Sequence, residues 1–118
     1  MRAKQGRAAA VQVGFTASEA TLIASAISEL ARNIVCHADR GSIVLKPVKG
    51  TNGSRGLTIV SSDSGPGIDD VAQALRDGYS SSGGLGLGLP GVRRLMDEFN
   101  IDSSAGTGTT VTVTKWRL

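Results

Sequence analysis

The stretch Ser81-Ser-Gly-Gly-Leu-Gly-Leu-Gly-Leu-Pro-Gly91 holds five glycines and no charged residue. An ordered glycine costs backbone entropy, so this concentration indicates a backbone that bends sharply or approaches a ligand closely. Pro90 then opens a helical pattern over residues 92–99, and a helix start behind a glycine loop offers free N–H groups to an anion. Leucines at every second position from 85 to 89 argue against a flexible linker. The stretch therefore predicts a phosphate-binding loop.

The chain as a whole has the size of one domain, residues 1–118. Its net charge is +3, and the basic residues are spread without interleaved aromatics, which argues against a nucleic-acid partner. No window approaches the length of a membrane span and no apolar leader follows the first residues, so we expect a cytoplasmic protein with no membrane contact. One cysteine and one histidine exclude an internal disulfide and argue against a zinc site.

Helical and strand patterns alternate along the chain. Helices are predicted over residues 3–13, from a cap at Thr16 or Ser18 to about His37, and over 68–77. Strands are predicted over 42–48, 56–62, 99–103 and 109–118, with a hairpin-like connection at 49–54. This order predicts an α+β sandwich, in which a single mixed, mainly antiparallel sheet carries helices on one face.

The second predicted helix brings Glu29, Asn33 and His37 to one face, because residues four apart lie one turn above each other. A carboxylate can accept a proton in catalysis, and an amide oxygen can bind a metal ion. Polar residues at this spacing are also common on the solvated side of a helix. The spacing alone leaves both interpretations open.

Asp63-Ser-Gly65-Pro-Gly67 follows the second predicted strand. A carboxylate at a strand end can accept a hydrogen bond from an exocyclic amine, and glycines let the backbone come close to a ligand. A tight turn that begins with aspartate has the same pattern. The later stretch Gly106-Thr-Gly-Thr-Thr110, taken by itself, predicts a hairpin turn.

The glycine-rich stretch contains a formal G-x-G-x-x-G at Gly86, Gly88 and Gly91, which is the pattern of dinucleotide-binding proteins. That pattern has to follow a hydrophobic strand, whereas the polar residues 79–82 precede it here. No Gly-Lys-Ser/Thr follows, so the stretch is not a P-loop either.

Together and in this order, the four segments resemble those of the GHKL ATPases, a superfamily of gyrase-type ATPases, heat-shock-90 chaperones, histidine kinases, MutL-type repair proteins and anti-sigma serine kinases. Glu29–Asn33 resembles the N box, Asp63–Gly67 the first glycine box, residues 84–89 the second, and Gly108-Thr109 the closing threonine motif. The segments AISELARNI, DSGPGI, DGYSSSGGLGLGLPGVRRLMDEF and AGTGTTVTVTKW look like the stressosome switch serine/threonine kinases. The resemblance covers about residues 18–115 and implies the Bergerat fold of the superfamily.

This resemblance implies a kinase that phosphorylates STAS-domain scaffold or antagonist proteins, with ATP and Mg²⁺, in a bacterial stress-signalling partner switch. It also implies that the released kinase activates a PP2C-type phosphatase. Two other functions stay open: an anti-sigma factor kinase, and a docking module that holds nucleotide or none and transfers no phosphate. A histidine-kinase catalytic domain would need a phosphoacceptor helix, and we expect none here.

The resemblance also implies roles for single residues. Glu29 corresponds to the base that takes the proton of the attacking hydroxyl, and Asn33 to the Mg²⁺ ligand that meets the triphosphate through its amide oxygen. Asp63 corresponds to the acceptor of the adenine amino hydrogen, with Thr109 supporting that contact. His37, one turn past Asn33, either lies near the phosphates or has a structural role.

The glycines have implied roles as well. Gly65 and Gly67 let the adenine lie close to the backbone. Residues Gly84, Leu85, Gly86, Leu87 and Gly88 correspond to a lid whose N–H groups meet the phosphates.

The chain departs from the family pattern in two places. Anti-sigma kinases often carry a lid arginine that meets the γ-phosphate, and residues 78–91 contain none. That role is either absent or filled by Arg76, Arg93, Arg94 or a partner. The stressosome kinases usually begin with a strand, whereas this sequence begins with a helical pattern. We therefore expect an open sheet edge that invites a partner or a second copy, as in a homodimer.

Overall fold

The computed structural model describes residues 3–37, 40–65, 88–104 and 108–117. These residues form the helices and strands α1 (Ala3–Val13), α2 (Ala17–His37), β1 (Gly41–Lys49), β2 (Arg55–Asp63), α3 (Gly88–Leu95), β3 (Glu98–Ser104) and β4 (Gly108–Trp116). The predicted helix over 68–77 lies outside the described residues. The predictions for α1, α2 and the four strands are confirmed to within two residues.

The four strands form one sheet in the order β1-β2-β4-β3. Every pairing among the described strands is antiparallel, so the sheet shows no mixed pairing within this part of the chain. The α+β architecture is confirmed. Because β4 lies between β2 and β3, it brings the end of β2 and the end of β3 together. Asp63 and Ser103 both pair with Thr109 in this way.

The start of α2 is fixed by Thr16 rather than by Ser18. Glu19 N donates to Thr16 Oγ1 at 3.1 Å, and Thr16 N donates to Glu19 Oε1 at 3.0 Å. This reciprocal pair is a capping box, which satisfies two N–H groups that would otherwise lack a partner at the helix start. The cap thereby fixes the residue at which α2 begins.

The core lies between the three helices and one face of the sheet. Along β2 the buried residues alternate with half-buried ones, as expected for a strand with one covered face. Leu22 and Val35, two predicted apolar positions of α2, are 40% and 79% exposed and lie outside the core. Burial of each large core side chain stabilises the fold by about 1.5–3 kcal/mol. The fully buried large side chains are Ile23, Ile27, Leu30, Leu57, Ile59, Val92 and Val113.

The position of α3 differs from the prediction. The sequence predicts a helix over 92–99 that Pro90 opens, but α3 begins at Gly88 and ends at Leu95. After α3 ends, the chain pairs with β4 instead of continuing as a helix. Asp97 N donates to Thr114 O at 3.0 Å, and Glu98 pairs with Thr114. Pro90 is the third helical residue, still within the first turn, where a missing N–H breaks no helical hydrogen bond.

Candidate functional site

Asp63 ends β2 and is held by its neighbours. Its Oδ1 accepts hydrogen bonds from the backbone N–H of Gly65 at 2.9 Å and of Thr109 at 3.2 Å. The first bond closes the turn after the strand, and the second crosses to β4. Hydrogen bonds to an ionised acceptor are roughly twice as strong as neutral ones, so the half-buried carboxylate has a fixed orientation. The sequence allowed two interpretations of this segment, a tight turn and a carboxylate acceptor at a strand end. In this geometry the two do not exclude each other.

Thr109 and Ser103 extend this hydrogen-bonded cluster across the sheet. Ser103 Oγ lies 2.8 Å from Thr109 Oγ1 and also donates to Gly108 O at 3.2 Å. Ser103 is not among the site residues predicted from the sequence. The alternation of β3 is the signal that could have found it, because Phe99 and Ile101 pack against the core and Ser103 is the next residue on that face.

Gly108 allows the two strands to approach each other at this point. Its φ is +101°, a conformation that residues with a Cβ rarely adopt. A Cβ built on Gly108 would lie 2.1 Å from the backbone O of Asp63. The geometry around Asp63 and Thr109 therefore depends on glycine at position 108, although the Gly-Thr-Gly pattern by itself predicts only a turn.

The second group of predicted site residues lies on α2. Glu29 is 7% exposed, and Asn33, one turn later, is half-buried. The interpretation of a solvated helix side is therefore wrong for Glu29. Burying a carboxylate is costly unless it has a partner, and both Glu29 and Asn33 make interactions in the structure. α3 packs on α2, with Leu89, Pro90 and Val92 buried.

A packing contact relates α2 to the Asp63 end of the sheet. Gly41 begins β1 and pairs directly with Asp63. A Cβ on Gly41 would lie 2.6 Å from Cγ2 of Ile34, so Ile34 packs against this residue. Ile34 follows Asn33 in the chain. The C-terminal half of α2 and the Asp63 cluster therefore lie at the same end of the molecule.

Several predicted site residues lie outside the described residues or are described only by their backbone. Gly67 and the lid residues Gly84, Leu85, Gly86 and Leu87 lie outside the described residues. Gly88 is the first residue of α3 and His37 the last of α2, each described by its backbone. Among the arginines proposed to replace a lid arginine, Arg93 and Arg94 are exposed on α3, and Arg76 lies outside the described residues.

No helix in the described part of the chain is both long and apolar enough to cross a membrane.

Sequence comparisons place the chain among known proteins. A family model described as a histidine kinase-like ATPase domain matches residues 2–115. The serine/threonine-protein kinase RsbT of Bacillus subtilis (strain 168) is 50% identical over 111 residues, which are 94% of this chain and 83% of that protein. The anti-sigma F factor of Thermoanaerobacter sp. (strain X514) is 30% identical over 91% of this chain and 77% of its own length.

A solved structure supports the same fold. The mycobacterial sensor histidine kinase MprB superposes with a TM-score of 0.61 at 18% sequence identity, covering 83% of this chain and 72% of that one. At this identity the likeness shows the architecture, a sheet with helices on one face.

Proposed function

This chain belongs to the histidine kinase-like ATPase family, and on that premise we propose that it transfers the γ-phosphoryl group of ATP to a serine or threonine of a partner protein. The 50% identity to a serine/threonine-protein kinase over nearly the whole chain supports kinase activity. The structural observation that carries the proposal is the Asp63 carboxylate, which two N–H groups fix beside Thr109. The span of the family match supports one kinase domain over residues 1–118.

Asp63 is suited to recognise adenine. Both of its hydrogen bonds within the described residues go to Oδ1, so Oδ2 is the oxygen that would accept a hydrogen from the adenine amino group. A guanine would present a carbonyl oxygen at that place, and two acceptors repel each other. Thr109 adds a hydroxyl next to the carboxylate, and Gly65 lets the base approach the backbone. The Asp63 cluster would therefore select ATP over GTP.

Glu29 is suited to act as the general base. The substrate hydroxyl would give its proton to Glu29 while its oxygen bonds to the γ-phosphorus and the bond to the ADP oxygen breaks. Such a base contributes about 10²–10⁴-fold to a rate. Burial of Glu29 keeps bulk water away from the proton transfer. Most of the remaining rate enhancement in phosphoryl transfer comes from positioning and charge neutralisation.

Asn33 is suited to hold Mg²⁺. Mg²⁺ in phosphoryl-transfer sites takes one or two protein oxygens and fills its other positions with phosphate oxygens and water. One amide oxygen, half-buried one turn beyond Glu29, fits this donor set. When bound, Mg²⁺ would neutralise phosphate charge. The lid over the phosphates is proposed at Gly84–Gly88, with Gly67 against the base and His37 near the phosphates.

The relatives indicate the kind of partner. RsbT is named a kinase, and the anti-sigma F factor is named for control of a sigma factor, so we place this chain in a cytoplasmic partner switch of regulatory proteins. We propose STAS-domain scaffold or antagonist proteins as substrates and a PP2C-type phosphatase as the second partner. An anti-sigma factor kinase is the second candidate, favoured by the 30% identity to the anti-sigma F factor of Thermoanaerobacter sp..

The substitution that tests nucleotide recognition is Asp63→Asn. It keeps the size of the side chain but removes its charge and replaces one acceptor oxygen with a donor, so ATP affinity should fall about 10–100-fold. Titration calorimetry with ATP and Mg²⁺ measures this. Asp102→Asn, on the exposed side of β3, is the matched control and should bind normally. If the wild-type chain binds no ATP near millimolar concentration, only the docking module is left.

The substitution that tests the base is Glu29→Gln. It keeps the volume of the buried side chain, so ATP binding should stay within about threefold while phosphorylation of a STAS-domain protein from the same source falls about 10²–10⁴-fold. Labelled ATP and the purified STAS-domain protein provide the measurement. A variant that phosphorylates at the normal rate would show that Glu29 is not the base.

A further inference from the structure

A groove of about 460 Å³ lies between α1 and the β1–β2 hairpin, at the end of the sheet away from Asp63. We call it the hairpin groove. Its apolar lining comes from Ala9 and Val13 of α1 and from Pro47 and Val48 of β1. The groove is open to solvent along one side, so it can admit a side chain from another molecule.

Two cations stand at the hairpin groove. Lys49 and Arg55 both line it, both are exposed, and they lie directly opposite each other in the β1–β2 pairing. Like charges directly opposite each other on a sheet destabilise it. Within the described part of the chain, neither side chain takes part in an ion pair or a side-chain hydrogen bond. Fold stability therefore does not account for this pair of charges.

A third basic residue lies next to the two cations of the hairpin groove. Arg117 N donates to Arg55 O at 2.8 Å, so the backbone of this third basic residue lies directly beside that of Arg55. Among the described residues, Asp97 Oδ2 accepts from Trp116 N at 2.7 Å and Glu98 Oε2 accepts from Trp116 Nε1 at 2.6 Å. Trp116 pairs with Gly56, so its indole lies on the face of the sheet opposite the Arg55 side chain. An occupant that brings carboxylates would therefore meet complementary charge.

Two further observations select among possible occupants. β1 is an edge strand of the described sheet, but Pro47 has no N–H to donate, so a partner strand cannot extend the full hydrogen-bond ladder here. An inserted side chain suits the groove better than an added strand. The net charge of +3 makes a second copy of this chain a poor electrostatic match for a cationic groove.

We propose that the hairpin groove docks an acidic segment of a partner protein. One large apolar side chain of that segment enters between α1 and the hairpin, and flanking carboxylates meet Lys49 and Arg55. β2 extends from Arg55 to Asp63, which separates this groove from the Asp63 cluster by about 26 Å at 3.3 Å per residue. A partner held here leaves the nucleotide site open, and the docking does not require that the chain be a kinase.

Short peptides test the chemistry of the occupant. The isotope-labelled full chain is titrated with the capped peptide Glu-Asp-Leu-Glu-Asp, and backbone amide shifts are followed by NMR. We expect saturable shifts at Val13, Val48 and Gly56, with those next to Asp63 unchanged. Replacing the leucine by serine, or all four acids by lysine, should each weaken binding at least about tenfold. Equal binding of the lysine peptide, or no shifts at the groove, would overturn the proposal.

Charge reversal tests the two cations. The double variant Lys49→Glu with Arg55→Glu should bind the acidic peptide at least about tenfold more weakly. Lys46→Glu, an exposed residue of the same strand that does not line the groove, should change binding less than about twofold. Thermal unfolding confirms that each variant is folded, and ATP titration of the same samples should be unaffected. Self-association that the double variant abolishes would instead assign the groove to a second copy.

Discussion

The two ends of β2 are built from the same antiparallel ladder but differ in how their charges are held. At the Asp63 end, one carboxylate is fixed by two N–H groups, and two hydroxyls continue the hydrogen bonding across β4 to β3. At the Arg55 end, a cation faces another cation across the hairpin beside an apolar groove. The first end is organised before any ligand arrives, whereas the second has two cations that no side chain among the described residues pairs with.

Substitutions at the two ends of β2 should therefore have different consequences. A change at the Asp63 end alters a network in which each atom has a set position, so its effect should spread to neighbouring strands. A change of charge at the Arg55 end should alter binding of a partner and leave the fold intact. Each end also contains a glycine at which two strands approach closely, Gly108 at one end and Gly56 at the other. Substituting each glycine by alanine compares the two ends directly.

Gly108→Ala should have the largest effect. The new Cβ would lie 2.1 Å from the backbone O of Asp63 at a φ of +101°, so β4 and β2 must separate. We expect a loss of about 3–5 kcal/mol in the free energy of unfolding, measured with urea, and no ATP binding in the folded fraction. Gly53→Ala is the matched control, because its φ is +83° but nothing lies within 4 Å of its Cβ. It should cost only about 1 kcal/mol.

Gly56→Ala tests the other end. Its Cβ would lie 2.7 Å from Cε3 of Trp116 and 2.7 Å from the backbone O of Lys115, so both the indole and the backbone of β4 must move away from β2. Overpacking of this kind typically costs about 1–3 kcal/mol. Urea unfolding should show that loss while ATP affinity stays unchanged, because the strain lies far from Asp63. If Gly56→Ala weakened ATP binding as strongly as Gly108→Ala, the two ends would not be independent.

The sequence could predict the elements of this fold because most of them follow from local patterns. The spacing of apolar residues predicts α2, and runs of strand-forming residues between turn residues predict the four strands. Thr16 and Glu19 form the capping box that their residue types favour. The end of α3 could not be predicted in this way. Residues 97–99 continue a helical pattern, but pairing with β4 supplies hydrogen bonds that a last helical turn would lack.

The candidate site was predictable only in part. Asp63 and Thr109 stand in segments that resemble family motifs, so they could be named before the structure. Burial of Glu29 could not be predicted from spacing, because it depends on which elements pack against that side of α2. The role of Gly108 depends on which backbone atom the neighbouring strand places against it. Such contacts between distant segments are set by register, and no local pattern encodes them.

Ser103→Ala should have the smallest effect and tests how far the organised end extends. The change removes the contacts to Thr109 Oγ1 and Gly108 O, so the Thr109 hydroxyl loses one of the groups that orient it. A hydrogen bond of this kind is worth about 1 kcal/mol, which corresponds to about a fivefold loss of ATP affinity. The ratio of ATP affinity to GTP affinity should fall by a similar factor, and this second measurement separates loss of orientation from simple destabilisation.

Ser62→Ala, next to Asp63 in sequence but on the opposite face of the sheet, is the control and should change neither ATP affinity nor this ratio. Unchanged affinity and selectivity in Ser103→Ala would limit the organised end to Asp63, Gly65 and Thr109.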